Sequence, residues 1–285
     1  MSSSVLSRRR AVHLDFDGTL ARAGIMPRAQ AEAVRRARAA GHVMVLSTGR
    51  PGSIVATDVL ELFDAVVTSA GAHVRVGEEL LRDVRFPEAL ARRTVEVLEA
   101  AGAAYALEAP EALWCSAASA RRLEERRAGV PAPAEGDLGR GVLDILDAVT
   151  VPEDLSACSF AKISVWSSRV PVEEIAAQLG DEIGALPNSI SEDGRGSGEL
   201  HLAGIDKADG LHLLAEHLGL PVEETVAVGD GPNDLGMLRA AGTAVVIRGS
   251  RPEVLATGDL EIAPPAEHGI EDAFTRLGLF APVTA

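Results

Sequence analysis

Cysteine is nearly absent. Cys115 and Cys158 are the only two in 285 residues, and they stand far apart in no CxxC spacing. That argues against a disulfide framework and leads us to expect a reducing, cytoplasmic setting. Neither cysteine has an evident partner base, so neither is expected to act as a nucleophile. Aromatic residues make up 3% of the chain, so small, Ala-rich helices are expected to carry much of the packing. Positive charge is also short, with 27 Lys and Arg against 42 Asp and Glu and a net charge of −15. A protein that works on nucleic acid or on an anionic membrane needs a basic footprint. The arginine pairs at 92–93, 121–122 and 126–127 lie among glutamates in helix-like stretches and read as solvated faces. No apolar run reaches membrane-spanning length. No secretory-type apolar segment follows the basic MSSSVLSRRR start. Neither nucleic acid nor membrane is therefore expected as a partner, and the sequence is silent on oligomeric state.

The length suits two domains. Residues 12–16 read as a buried strand, 28–40 as a helix ended by Gly41, 42–47 as a strand, 52–62 as a helix and 65–69 as a strand. Strand, helix, strand at this spacing predicts a parallel sheet with covering helices. A hairpin about Gly77-Glu78 follows. The texture then changes to a helix over 87–101, short strands near 104–108 and 112–116, a charged helix over 117–128 and a Pro/Gly-rich loop over 129–141. FAKISVW at 160–166 alternates like a half-exposed antiparallel strand. Residues 172–179 read as a helix, and a hairpin closes around EDGRGSG. From Lys207 the first texture returns, with helices at 207–218 and 233–241 and strands at 225–230 and 244–247. The expected fold is a doubly wound, Rossmann-like α/β core from residues 1–83 and 201–285, carrying an inserted α+β unit at 84–200.

Four segments then fall at one edge of that sheet. VHLDFDGTL places Asp15 and Asp17 at i and i+2, on one face at the end of a strand. VLSTGR supplies Thr48, Gly49 and Arg50 as hydroxyl, backbone N–H and guanidinium donors. Lys207 opens a helix, and GDGPND sets Asp230, Asn233 and Asp234 about a turn. Phosphoryl transfer is the chemistry that uses all of these. A carboxylate attacks phosphorus, and a second acid moves the proton. Each like-charge pair at about 4 Å costs roughly 4 kcal/mol at an effective dielectric of 20. A lysine and an oxygen-bound Mg²⁺ remedy that. Other residues read blandly. His212 and His217, at i and i+5, share no helix face and predict no zinc site. His73 and His201 read as ordinary histidines, and GRGSG is no P-loop.

These segments resemble the four motifs of the haloacid dehalogenase-like superfamily. The place of the insert, after the third strand and its hairpin, is similar to that in Cof-type phosphatases with a class IIB α+β cap. The resemblance implies that Asp15 is the nucleophile and a Mg²⁺ ligand. It makes Asp17 the general acid/base, with its backbone carbonyl on the metal. It places Thr48, Gly49, Lys207 and Asn233 on the phosphoryl group and makes Asp230 a metal ligand. Asp234 would orient Lys207 or metal-bound water. Arg50 and Arg195 are candidate substrate contacts. Asp17 also separates the chain from the dehalogenases, which lack that acid. The implied activity is hydrolysis of a small phosphate monoester, a sugar phosphate or derivative, through an aspartyl-phosphate. A sugar phosphomutase is the alternative enzyme, and an idle phosphate-binding module the non-enzyme alternative. Two places depart from the family pattern. Ser69-Ala70-Gly71-Ala72 stands where Asn-Gly-Ala is frequent, and Arg248-Gly249-Ser250 stands where Gly-Asn-Ala is frequent.

Overall fold

The computed structural model describes residues 8–128, 130, 132–187, 196–281 and 283. Two sheets organise them. The first has eight strands: β1 (Ala11–Leu14), β2 (Val43–Ser47), β3 (Ala65–Thr68), β4 (His73–Val76), β5 (Glu79–Asp83), and later β12, β13 and β14. The second has six: β6 (Ala104–Glu108), β7 (Leu113–Cys115), β8 (Val149–Thr150), β9 (Lys162–Ser167), β10 (Ile183–Pro187) and β11 (Gly198–Leu202). The chain then re-enters the first sheet through β12 (Thr225–Gly229), β13 (Thr243–Ile247) and β14 (Leu260–Ile262). No helix among the described residues is long and apolar enough to cross a membrane.

The first sheet runs in the order β14-β13-β12-β1-β2-β3-β4-β5. Its six core strands are parallel, and the β4–β5 hairpin closes one edge antiparallel. β1 to β3 and β12 are buried along their whole length, as apolar strands covered on both faces must be. The helix Arg28–Ala39 shows how the covering is built. Ala31, Ala33, Val34 and Ala37 face the sheet, and Arg36 and Arg38 lie in the last turn, where the helix dipole favours cations. After β1 the chain first builds to one side, through β2 and β3, and later to the other, through β12 to β14. β1 is therefore the switch point at which open α/β sheets form their crevice.

The helix expected at 52–62 is broken. A short 3-10 turn, Gly52–Ile54, and one α-turn, Thr57–Leu60, are separated by Val55 in extended conformation. Ser53 Oγ donates to Ala109 O at 2.8 Å, and Ile54 packs with Ala106, Leu113 and Cys115. Tertiary docking of the second sheet thus overrides the helical pattern. The helix Lys207–His217 forms as the sequence suggests, on an Asp206/Asp209 capping box. The helix expected at 233–241 begins later, with a 3-10 turn at Pro232–Asp234 before Leu235–Ala240.

In the second sheet, strands β6, β9 and β11 bury one face, with Tyr105, Leu107, Ile163, Val165 and Leu200, against the helices Glu88–Ala100 and Val172–Leu179. The other face turns toward the first sheet's C-terminal edge. FAKISVW is confirmed as an antiparallel strand, but Lys162 on its polar side is buried, not half-exposed. What covers it is the first sheet's loop layer, which no period in the sequence reveals. The junction expected at 200 and 201 falls inside β11, which pairs wholly within the second sheet. Phe86, in the connection after β5, packs into the second sheet's core against Phe160, with ring centroids 4.7 Å apart. A further tie between the two units is a pair of reciprocal backbone hydrogen bonds of 2.9 Å between Met26 and Leu138.

Candidate active site

Register brings the site together. Leu14 is level with Leu46 on β2 and Val228 on β12, so Asp15, Ser47 and Gly229 leave the sheet at one height. Asp15 N donates to Val228 O at 2.9 Å, which fixes the nucleophile candidate to the last rung of the ladder. The chain then turns at Gly18, at φ +88°, where a Cβ would collide with the Asp230 carboxylate. Only glycine lets the two segments approach this closely. Thr19 follows and donates from Oγ1 to Asp230 Oδ1 at 3.0 Å.

Lys207 lies at the centre and has no exposed surface. Its Nζ donates to Asp15 Oδ1 and to Asp234 Oδ1, each at 2.5 Å. Asp234 Oδ2 accepts from the backbone N–H groups of Asp230 and Gly231, at 3.0 and 2.9 Å. Both Asp234 oxygens therefore accept hydrogen bonds that shape the site. Asp15 is held through one oxygen, and among the described residues its Oδ2 accepts no hydrogen bond.

Charge is unbalanced here. Burial, then Asp234, drive the Asp15 carboxyl well above the ordinary carboxylate range, against the pull of Lys207. Burial, then Asp234, push Asp230 up to about 6, opposed by the Thr19 hydrogen bond. Burial works against the Lys207 ammonium, but Asp15 and Asp234 outweigh it and hold its pKa above the usual lysine value. One ammonium thus serves three carboxylates. Asp15, Asp230 and Asp234 each offer an oxygen, and all three atoms lie within 4.8 Å of one another. An all-oxygen, carboxylate-rich donor set with surplus negative charge fits a hard divalent cation.

The phosphate-binding candidates converge from the neighbouring strands. Thr48 is buried, donates its N–H to Val67 O at 2.8 Å and accepts from Arg50 N on Oγ1 at 3.1 Å. Two donors stand close to Gly49. A Cβ there would stand 3.4 Å from Asn233 Nδ2 and 3.8 Å from Lys162 Nζ. Asn233 thus stands beside Gly49. Asp17 points elsewhere. Arg50 grips it bidentately, Nε to Oδ2 at 2.5 Å and an Nη to Oδ1 at 2.8 Å, while lying over the Phe16 ring at 5.1 Å. Arg50 therefore engages an acid of the site, with only 10% of its side chain exposed. Arg195 lies outside the described residues. Arg248 is exposed and pairs with Glu267 at 2.6 Å. Ala70 adopts a left-handed conformation, at φ +54°.

Sequence reasoning missed Lys162, Glu108 and Glu199. Lys162 Nζ lies 3.2 Å from Glu108 Oε2 and 3.1 Å from Glu199 Oε2, and Ser164 donates to Glu108. The available signal was a lysine on the polar side of an otherwise apolar strand.

Comparison with known proteins agrees with this geometry. A family model described as haloacid dehalogenase-like hydrolase matches residues 12–274. A phosphoglycolate phosphatase of Methanospirillum hungatei is 34% identical over 105 residues, covering 36% of this chain and 43% of that protein. The match thus spans less than half of that relative's length. Among solved structures, the HAD subclass IIB sugar phosphatase BT4131 superposes with a TM-score of 0.74 at 23% identity, covering 95% of this chain and 99% of the other. A haloacid dehalogenase-like hydrolase from Bacteroides thetaiotaomicron superposes at 0.77 and 20% identity, covering 95% and 100%. At these identities the structures speak to the fold, an α/β sheet with a cap.

Proposed function

The chain belongs to the haloacid dehalogenase-like hydrolases, and on that premise we propose that it is a magnesium-dependent phosphatase of small phosphate monoesters, with sugar phosphates or their derivatives as the substrate class. The observation that carries this is the buried Asp15–Lys207–Asp234 arrangement beside Asp230 at the switch point. Asp15 Oδ2 attacks phosphorus while the bond to the leaving-group oxygen breaks, and Asp17 gives that oxygen its proton. Water then attacks the aspartyl-phosphate, Asp17 takes back a proton, and Asp15 and inorganic phosphate are released. Lys207, Thr48, the Gly49 backbone and Asn233 hold the phosphoryl oxygens. A cation held by Asp15 and Asp230, with the Asp17 carbonyl, supplies charge neutralisation in the anionic crevice. Arg50 keeps Asp17 at the mouth and must yield at least one of its two hydrogen bonds when the leaving group arrives. The six-stranded unit acts as the cap that excludes water. Support comes from the family, from phosphatase-named relatives and from the convergence of these side chains.

Phosphate release across a panel of sugar phosphates, nucleotides and p-nitrophenyl phosphate, with Mg²⁺, tests the reading. Asp15→Asn is expected to lower turnover by at least about 10³-fold with the fold retained, and EDTA to abolish turnover until Mg²⁺ is restored. Near-full activity in Asp15→Asn would end the nucleophile assignment. An isomerised product without phosphate release would point to a mutase.

A further inference from the structure

We propose that residues 136–141 form a positioning strap for Asp17, which acts by walling in Arg50 through Gly24. The inference rests on the phosphatase reading, in which Asp17 protonates the leaving group.

Residues 136–141 close the Pro/Gly-rich stretch and belong to neither sheet. They lie along the segment that follows Asp17 and are fastened to the first unit at three points. Met26 and Leu138 exchange backbone hydrogen bonds at 2.9 Å. Arg28 N donates to Asp137 Oδ1 at 2.9 Å, and Gly139 N donates to the two Asp58 oxygens at 3.2 and 3.3 Å. Between these points the contact is backbone on backbone. A Cβ on Gly139 would stand 2.7 Å from Gly24 O, and one on Gly141 would stand 2.7 Å from Ala23 O. Gly24, Gly139 and Gly141 all have positive φ, at +76°, +75° and +64°. Glycine permits both the conformation and the approach.

Gly24 passes the contact on. A Cβ there would stand 2.9 Å from Gly141 Cα and 2.9 Å from Arg50 Nη2. One residue's thickness of backbone thus separates the strap from the guanidinium. A second neighbour of Arg50 is also pinned by the six-stranded unit. Arg50 Nη1 donates to Ile54 O at 3.3 Å, and Ile54 packs among Ala106, Leu113 and Cys115. Arg50 is in turn the only group among the described residues that hydrogen-bonds the Asp17 carboxylate. The Asp17 side chain is 38% exposed, so packing alone does not aim it. A planar, two-bond pair with Arg50 does. When a leaving group takes one Asp17 oxygen, Arg50 gives up one bond and keeps the other, because Gly24 and the strap leave it no room to withdraw. Orientation of the proton donor is what the strap contributes.

The test uses the full chain with Mg²⁺ and compares kcat/KM on a hexose 6-phosphate and on p-nitrophenyl phosphate. An alkoxide needs a proton to leave, whereas nitrophenolate leaves without one, so only the sugar ester reads the aim of Asp17. The double variant Asp58→Ala/Asp137→Ala removes both side-chain fastenings and leaves every candidate crevice residue in place. It is expected to lose at least about tenfold on the sugar ester and to stay within about threefold on the nitrophenyl ester. Equal losses on both esters in a folded variant mean general loosening and overturn the inference, as does no loss on either. Should the double variant fail to fold, Asp58→Ala alone decides, with a loss of at least about threefold confined to the sugar ester. Asp17→Asn separates the two readings, and is expected to cost the sugar ester at least about 10²-fold more than the nitrophenyl ester. If Asp17→Asn shows that selectivity and the strap variants do not, the strap falls and the phosphatase stands. If Asp17→Asn spares the sugar ester, the acid assignment falls and the strap with it. If the wild type hydrolyses neither ester, the phosphatase reading itself falls.

Discussion

Gly49 shows how little a single residue needs to change for the site to fail. Its backbone lies outside the left-handed region, and an added methyl would meet only ordinary contacts, 3.4 and 3.8 Å from Asn233 and Lys162. Gly49→Ala is therefore expected to leave stability within about 0.5 kcal/mol of wild type. The methyl would stand beside the two donors that, on the proposed function, meet the phosphoryl oxygens. Displacement of a reacting group by about 1 Å costs on the order of 10²-fold in rate. Steady-state kinetics alongside a urea unfolding curve should show the first number falling and the second holding. A destabilised variant with intact kcat/KM would contradict the cradle. Gly18 is the contrasting case, since there both the φ of +88° and the Asp230 carboxylate exclude any side chain.

Loops and strand ends carry the next level of argument. The segment after β3 holds two non-glycine residues in the left-handed region, Ser69 at φ +49° and Ala70 at φ +54°. It is kept there by hydrogen bonds from Ser69 N to Arg50 O, at 2.8 Å, and from Ala70 N to Thr48 O, at 3.0 Å. The departure from the family pattern noted in the sequence thus braces the Thr48–Arg50 loop, the proposed phosphate cradle, with strained backbone. Strain of this kind costs about 1–3 kcal/mol, and glycine gives back about 0.5–1 kcal/mol in entropy. Ala70→Gly is expected to raise stability by about 0.5–1 kcal/mol, read as a higher urea midpoint at unchanged slope. A lower midpoint would mean that the loop is not strained.

At this scale the sequence was legible where chemistry-bearing residues close an apolar strand. Asp15, Thr48 and Asp230 could be placed because β1, β2 and β12 announce themselves and parallel strands end at one edge. The 52–62 segment was misjudged because Ser53 and Ile54 are used to dock the second sheet, a contact with no local periodicity. Lys162 was missed for a related reason. Alternation in a strand tells which face is polar, but not what lies above it.

Taken whole, the molecule carries a net charge of −15, so mild acid relieves self-repulsion. Buried histidine works the other way. Burial first, and Arg10 second, hold the His42 pKa below its ordinary value of 6.5. The ring accepts from Arg10 N on Nδ1 at 3.2 Å, and its Nε2 is buried without a partner. The unfolded chain takes up this proton at a higher pH than the folded one. The stability that His42 contributes is thus complete above about pH 6.5 and is lost as pH falls through that value toward the depressed folded pKa. Urea midpoints at pH 7.5 and 5.5 should show a larger loss in wild type than in His42→Asn, whose amide oxygen can still accept from Arg10 N. Equal losses would remove His42 as the source.

The strand order β12-β1-β2 also dictates when the site can exist. Asp15 and Thr48 leave the ribosome early, but Lys207 and Asp230 come after the whole second sheet has been made. Until then β1 presents an open edge along its β12 side, a row of unpaired backbone groups beside an acid with no counter-ion. Closure across so long an intervening segment carries an entropic cost that grows only slowly with its length, so the insertion is tolerated. The price is temporal. The nascent chain holds half of the candidate site's side chains assembled, and must shelter that edge, until its final third arrives.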